Sequence, residues 1–131
     1  MQRKKKDRGA AAVEFALILP ILITLLLGVM EFGYAMFVQA TVAGAAREGA
    51  RNLAIYQNTS SAVQAAVAAG QPAGVASSEV TPNASGCATG SASPGPVTVT
   101  IRHTYSGLGG LSWFKLPNLT ITGEGVMRCG G

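Results

Sequence analysis

Two cysteines, one histidine and one oddly placed acid are the residues of this chain whose types and spacing could do chemistry. Cys87 and Cys129 can oxidise to a disulfide closing a loop of about forty residues, worth roughly 4 kcal/mol in the chain-entropy picture. His103 and two such distant thiols have none of the usual ligand spacing, so neither a metal nor a cofactor is expected. No acid pair is spaced on a helix for acid–base work, and the serines have no matching base. Gly107–Gly110 lacks the Lys and Ser/Thr of a phosphate loop. An enzyme is therefore not expected, and no catalytic residue is assigned. The acid is Glu14, just inside a membrane-length apolar segment, where a charge is costly and needs a reason.

The elements that must carry these residues begin with that segment. From Ala10 to Val38 the only charged residues are Glu14 and Glu31, with 16 uncharged residues between them. A spanning helix needs about 20 predominantly apolar residues, which Ala10 to Met30 supplies, and the span is placed at about 15–35. A cleaved secretory signal fits less well. Ala43-Gly44-Ala45 resembles a cleavage site, but the apolar run is too long and Glu31 to Val42 intervenes. Pro20 reads as an ordinary kink, with a local loosening of the helix as the sharper alternative. No proline interrupts Glu31 to Gln57, so the helix should continue as a stem, reaching roughly 70 Å from Ala10 to Tyr56. On it Glu48 and Arg51 can pair at i,i+3, and Ala45 and Gly49 are small enough to let another helix approach. Glu31 marks the outer membrane boundary and is expected in solvent or among head groups.

Charge sets the orientation. Arg3, Lys4, Lys5, Lys6 and Arg8 against Asp7 give 5 − 1 = +4, and the rest of the chain has five bases against five acids. The whole net charge of +4 thus belongs to the head. A basic head beside an apolar span stays cytoplasmic, so the C-terminal part should be translocated. In a bacterium that puts both cysteines in an oxidising compartment, which favours the bridge. A neutral folded part argues against nucleic-acid binding.

After Gln57 the composition changes. Ser61-Ala62-Val63-Gln64 fits a capping box, and Gly70 with Pro72 ends the short helix that follows, with Val63 and Val67 sharing a face. Residues 71–96 read as loop with a short strand near Gly74–Val80. Val97 to Tyr105 alternates, with Val97, Val99, Ile101, His103 and Tyr105 facing one way. Leu119 to Arg128 puts Leu119, Ile121 and Met127 on one side, in phase with Cys129, and Gly123 and Gly125 between them suggest a bulge or a close contact. The two strands are predicted to pair antiparallel across a long connection. In that connection Trp113 and Phe114 could dock a partner, but filling the core is favoured. His103 reads as a partly buried structural residue.

Three local patterns resemble the TadE-like family, minor pseudopilins of tight-adherence (Flp-type) pilus systems. They are Gly9-Ala10-Ala11-Ala12-Val13-Glu14-Phe15, then Glu31-Phe32-Gly33, then Ala45-Ala46-Arg47-Glu48-Gly49-Ala50-Arg51. The resemblance implies cleavage between Gly9 and Ala10 by a prepilin peptidase, which would discard the basic leader. It implies that Glu14, with Phe15 beside it, serves subunit assembly by pairing with the N-terminal amine of a neighbouring subunit. Physically, a carboxylate and an ammonium each cost much in a low-dielectric medium and offset that cost together. Snorkelling toward head groups, or protonation, is the plainer account of Glu14.

The expected fold is α+β and membrane-anchored: a long transmembrane helix continuing as a stem, then a small extracytoplasmic domain with a short helix and an antiparallel sheet. The divisions are a leader at 1–9, helix and stem at 10–57, and domain at 58–131. The expected function is a minor pseudopilin or assembly component of a tight-adherence pilus in the bacterial inner membrane, N-terminus cytoplasmic and domain periplasmic. Its partners would be the prepilin peptidase, other pilin-like subunits, inner-membrane platform proteins and membrane lipid. An unprocessed signal-anchored periplasmic domain that binds a partner is the alternative.

Overall fold

Alanine and leucine are the commonest residues of the N-terminal half, and they build one helix. In the computed structural model, which describes residues 4–87, 95–109 and 118–129, helix α1 runs over Lys4–Tyr56. Its 53 residues make it about 80 Å long. It passes through Pro20 unbroken. It ends at Gln57, which is left-handed (φ 51°) and donates its N–H to the Leu53 carbonyl at 2.9 Å.

The next residue restarts the helix. Asn58 is extended, and its side chain accepts from the Ser61 amide at 3.1 Å. Helix α2 is therefore Thr59–Gly70, beginning two residues before the capping box expected at Ser61. A short carboxamide one step before the helix reaches the third amide, so Ser61 becomes the donor rather than the cap. Gln57 and Asn58 alone turn the chain, giving an antiparallel αα-hairpin. The buried stripe of α2 is Ala62, Ala66 and Gly70, with Val63 and Val67 only partly buried at its border. Small residues face α1 because they let the two backbones come close.

Three antiparallel strands follow: β1 (Val80–Asn83), β2 (Pro96–Tyr105) and β3 (Leu119–Arg128), in the order β1-β2-β3. The first strand starts where the expected one near Gly74–Val80 ends. Ser77–Glu79 instead form a 3-10 turn, closed by the Glu79 carboxylate accepting the Ala76 amide at 2.8 Å. Pro82 in β1 is tolerated because β1 is an edge strand. The long strands pair without interruption from Pro96↔Arg128 to Tyr105↔Leu119. There is no bulge in that ladder, so the glycines of β3 mark a close contact. A Cβ at Gly123 would meet the Val42 carbonyl at 2.7 Å, and one at Gly125 would strike the Ala46 carbonyl.

The stem is therefore not a bare rod. Val38, Val42, Ala45, Ala46, Ala50, Leu53 and Ala54 of α1 supply seven of the fifteen buried apolar residues described. Val97, Val99 and Ile101 of β2 and Ile121 of β3 close over them. Each fully buried Leu, Ile or Val contributes about 1.5–3 kcal/mol. At Gly49 an added Cβ would sit 3.0 Å from the Ala66 Cβ and 3.2 Å from Val99. That close approach is made within the chain, between α1, α2 and β2. The expected α+β layout is observed. Trp113 and Phe114 lie outside the described residues.

Candidate functional site

The residues singled out for processing and assembly all lie on the exposed first part of α1. Gly9, Ala10 and Glu14 are exposed, and Phe15 is 63% exposed. The helix brings Ala10 and Glu14 onto one face, one turn apart. Among the described residues Glu14 forms no ion pair. A Cβ at Gly9 would meet nothing within 4 Å, so packing within the chain gives no reason for a glycine there. From Gly9 through Met30 the helix carries exposed Val, Leu, Ile and Phe side chains. Among the described residues α1 holds the one segment long and apolar enough to cross a membrane, and none of that window is buried.

The cysteines are placed at the other end of the molecule. Cys87, in a one-turn helix after β1, is bridged to Cys129, just past β3, with the Cα atoms 5.5 Å apart. Backbone bonds brace the bridge: the Gly95 amide donates to the Gly86 carbonyl at 2.8 Å, and the Cys129 amide to the Gly95 carbonyl at 3.4 Å. A cross-link spanning 42 residues contributes about 4 kcal/mol through the unfolded state.

Two carboxylates hold the end of β2 nearest the apolar segment. Glu31, expected in solvent or among head groups, is half-buried. Its Oε1 accepts from the Tyr105 hydroxyl at 2.7 Å and from the Leu108 amide at 3.0 Å. Gly107, beside it, has φ +74° and no room for a Cβ against that carboxylate, so glycine is required there twice over. The Tyr105 ring also packs on Tyr34, with centroids 5.8 Å apart. Burial, then the Glu31 hydrogen bond and its negative charge, push the Tyr105 phenol up to about 12.

Glu79 is the second. Both its oxygens lie 3.0–3.1 Å from His103 Nδ1, and it accepts from the Ala76 amide. Burial alone would raise its pKa, but the His103 bond, the backbone bonds and the imidazole charge outweigh burial and lower it. The partial burial expected of His103 is observed, and its partner is 24 residues away, which no local spacing announces. The usable signal was the alternation of β2. It puts His103 and Tyr105 on the core face, and a polar group there must find a partner.

Between these contacts lies a cleft of about 240 Å³ lined by Tyr34, Val38, Ala73, His103, Tyr105 and Gly107 among others. Among the described residues no group of three potential ligands could hold a metal ion. The Glu31 and Glu79 contacts brace the end of β2 against α1 and against the turn before β1.

No curated protein and no solved structure matches the chain. Residues 9–51 match the family model described as TadE-like protein. The match begins at Gly9, takes in Glu14 and Glu31, and ends at Arg51 on the part of α1 that builds the core. Over that segment, about a third of the chain, it is similar to TadE-like proteins.

Proposed function

We propose that this chain is a minor pseudopilin or assembly component of a tight-adherence (Flp-type) pilus, cut by a prepilin peptidase between Gly9 and Ala10. The TadE-like segment supports a pilus-associated component. The observation that carries the finer reading is the division of α1 into an exposed apolar part and a part packed in a domain. A helix of that kind can lie in a membrane or a subunit bundle while it presents the domain outside. Gly9, which packing does not require, suits a peptidase that needs close backbone approach. Glu14, without an ion-pair partner among the described residues, suits pairing with the amine of a neighbouring subunit.

On this reading 1–9 is a cytoplasmic leader, 10–57 the span and stem, and 58–131 the periplasmic part of a single-pass inner-membrane protein. The partners are the peptidase, other pilin-like subunits, platform proteins and lipid. Release after Ala45 is disfavoured, because Ala45 is buried in the core and the cut would detach Val38 and Val42 from it.

Intact mass of the protein from native membranes tests the reading. Ala10 as first residue supports it; an intact Met1 start supports the unprocessed anchor instead. Gly9→Trp should block the cut, and unchanged electrophoretic mobility of that variant in a peptidase-positive strain would count against processing. Glu14→Val should spare the cut and impair assembly. Normal pilus output from Glu14→Val would remove its pairing role.

A further inference from the structure

We infer that the end of the domain carrying Leu108 and Leu119 rests on the bilayer surface, held there by Glu31, so that the protein has a second lipid contact besides its helix. The inference rests on the membrane helix proposed above and takes its span as the apolar run Ala10–Met30, ending before Glu31 rather than reaching to about 35. Those residues measure about 31 Å as helix, against a hydrocarbon core of about 30 Å. Glu31 is then the first residue at head-group level.

The domain returns to that level. The Glu31 carboxylate holds the Tyr105 hydroxyl and the Leu108 amide, and Tyr105 pairs with Leu119 at the end of the β2–β3 ladder. The direction of β3 is fixed by its glycines: Gly123 lies against Val42 and Gly125 against Ala46, so the strand climbs the stem from Leu119. At its lower end Leu108 is 52% and Leu119 57% exposed. Single exposed leucines are ordinary on a soluble surface. These two coincide with the boundary, next to the paired rings of Tyr34 and Tyr105, and Tyr is enriched at membrane interfaces. Phe32, the residue after Glu31 on α1, is 70% exposed at the same level. Shielding of α1 already begins at Leu27 and Gly28, one turn below Glu31.

The test uses the full chain in nanodiscs of phosphatidylethanolamine and phosphatidylglycerol doped with brominated lipid. In a Trp113→Phe background, Leu119→Trp places the sole indole at the rim. Val126→Trp places it about 24 Å up the same strand, and Leu25→Trp places it in the span. Bromines at shallow acyl positions should cut Leu119→Trp emission about twofold, as for a side chain at the acyl boundary, and leave Val126→Trp unchanged. Leu25→Trp should respond to deep bromines. If Leu25→Trp responds and Leu119→Trp is as insensitive as Val126→Trp, the rim contact is wrong while the span stands. If Leu25→Trp fails to respond, the span itself falls and the rim contact with it. Adding Glu31→Ala should abolish most of the rim quenching, whereas Glu31→Gln, which still accepts from Tyr105, should keep it. Full quenching in Glu31→Ala, with the domain still folded by circular dichroism, would overturn the holding role of Glu31.

Discussion

The two halves of α1 have the same backbone and opposite surroundings. From Ala10 to Met30 the apolar side chains are large and almost all exposed; Leu17 is 67% and Ile21 69% exposed. From Glu31 to Tyr56 the buried residues are mostly Ala and Val, and they are covered completely. The lower half is oily all round, as a helix solvated by lipid or by like helices must be. The upper half keeps a narrow stripe of small residues, because a sheet and a second helix must come within contact of its backbone. Side-chain size, more than hydrophobicity, distinguishes helix meant for lipid from helix meant for a domain. The glycines repeat the lesson. Gly28 of the lower half has nothing within 4 Å of an added Cβ, whereas Gly49 on the packed face of the upper half, and Gly123 and Gly125 of the strand that lies on it, face neighbours at or inside contact distance; Gly33 and Gly44 of the upper half are as open as Gly28.

That contrast can be broken in several places. The largest effect should come from Cys87→Ser combined with Cys129→Ser, which should cost the domain about 4 kcal/mol. Thermal melting of the detergent-solubilised chain would register it, and it should leave the helicity of the lower half intact. Next, Gly125→Ala drives a methyl into the Ala46 carbonyl and should cost about 3 kcal/mol through overpacking. Gly28→Ala, the same change in the lower half, should leave the domain's melting point where it was; equal losses from both would erase the distinction between the halves. Smaller again, Tyr105→Phe removes a hydrogen bond to a carboxylate and should cost about 1.5 kcal/mol. It should also loosen the Leu108 amide, read as faster hydrogen exchange there.

The smallest effects are those of pH, and their signs follow from the pairing. Glu79 titrates lower in the folded protein than in the unfolded chain. Its contribution is therefore present above the unfolded value near 4.5 and is lost as pH falls through the lower folded value. Tyr105 is raised from 10.0 to about 12, so its contribution is whole below pH 10 and is lost as pH climbs toward 12. Unfolding midpoints against pH should show both flanks. Glu79→Gln should flatten the acid one and leave the alkaline one, since the two groups sit on different contacts.

Much of this was legible in the chain. The apolar run, the basic head and the two alternating strands are periodic signals set by local composition, and the TadE-like patterns lie in contiguous residues. The short helix was legible, but its cap was not: Ser61-x-x-Gln64 and Asn58 are both good starts, and only the two-residue turn at Gln57 selects between them. The glycines of β3 announced either a bulge or a close contact, and the register chose. The Glu31–Tyr105 and Glu79–His103 contacts join residues 74 and 24 apart, beyond any helical or strand period.

By itself, then, the sequence determined what depends on neighbours along the chain: the length of α1, its apolar lower half, the confinement of net charge to the first nine residues, and the phase of β2 and β3. Only the tertiary structure decided which face of the stem becomes core, that β3 needs glycine opposite Val42 and Ala46, and that Glu31 grips the far end of β2. Those outcomes depend on distances between segments. Backbone propensity and hydrophobic period act over a turn or two of chain and carry no information about which distant surface will be pressed against them.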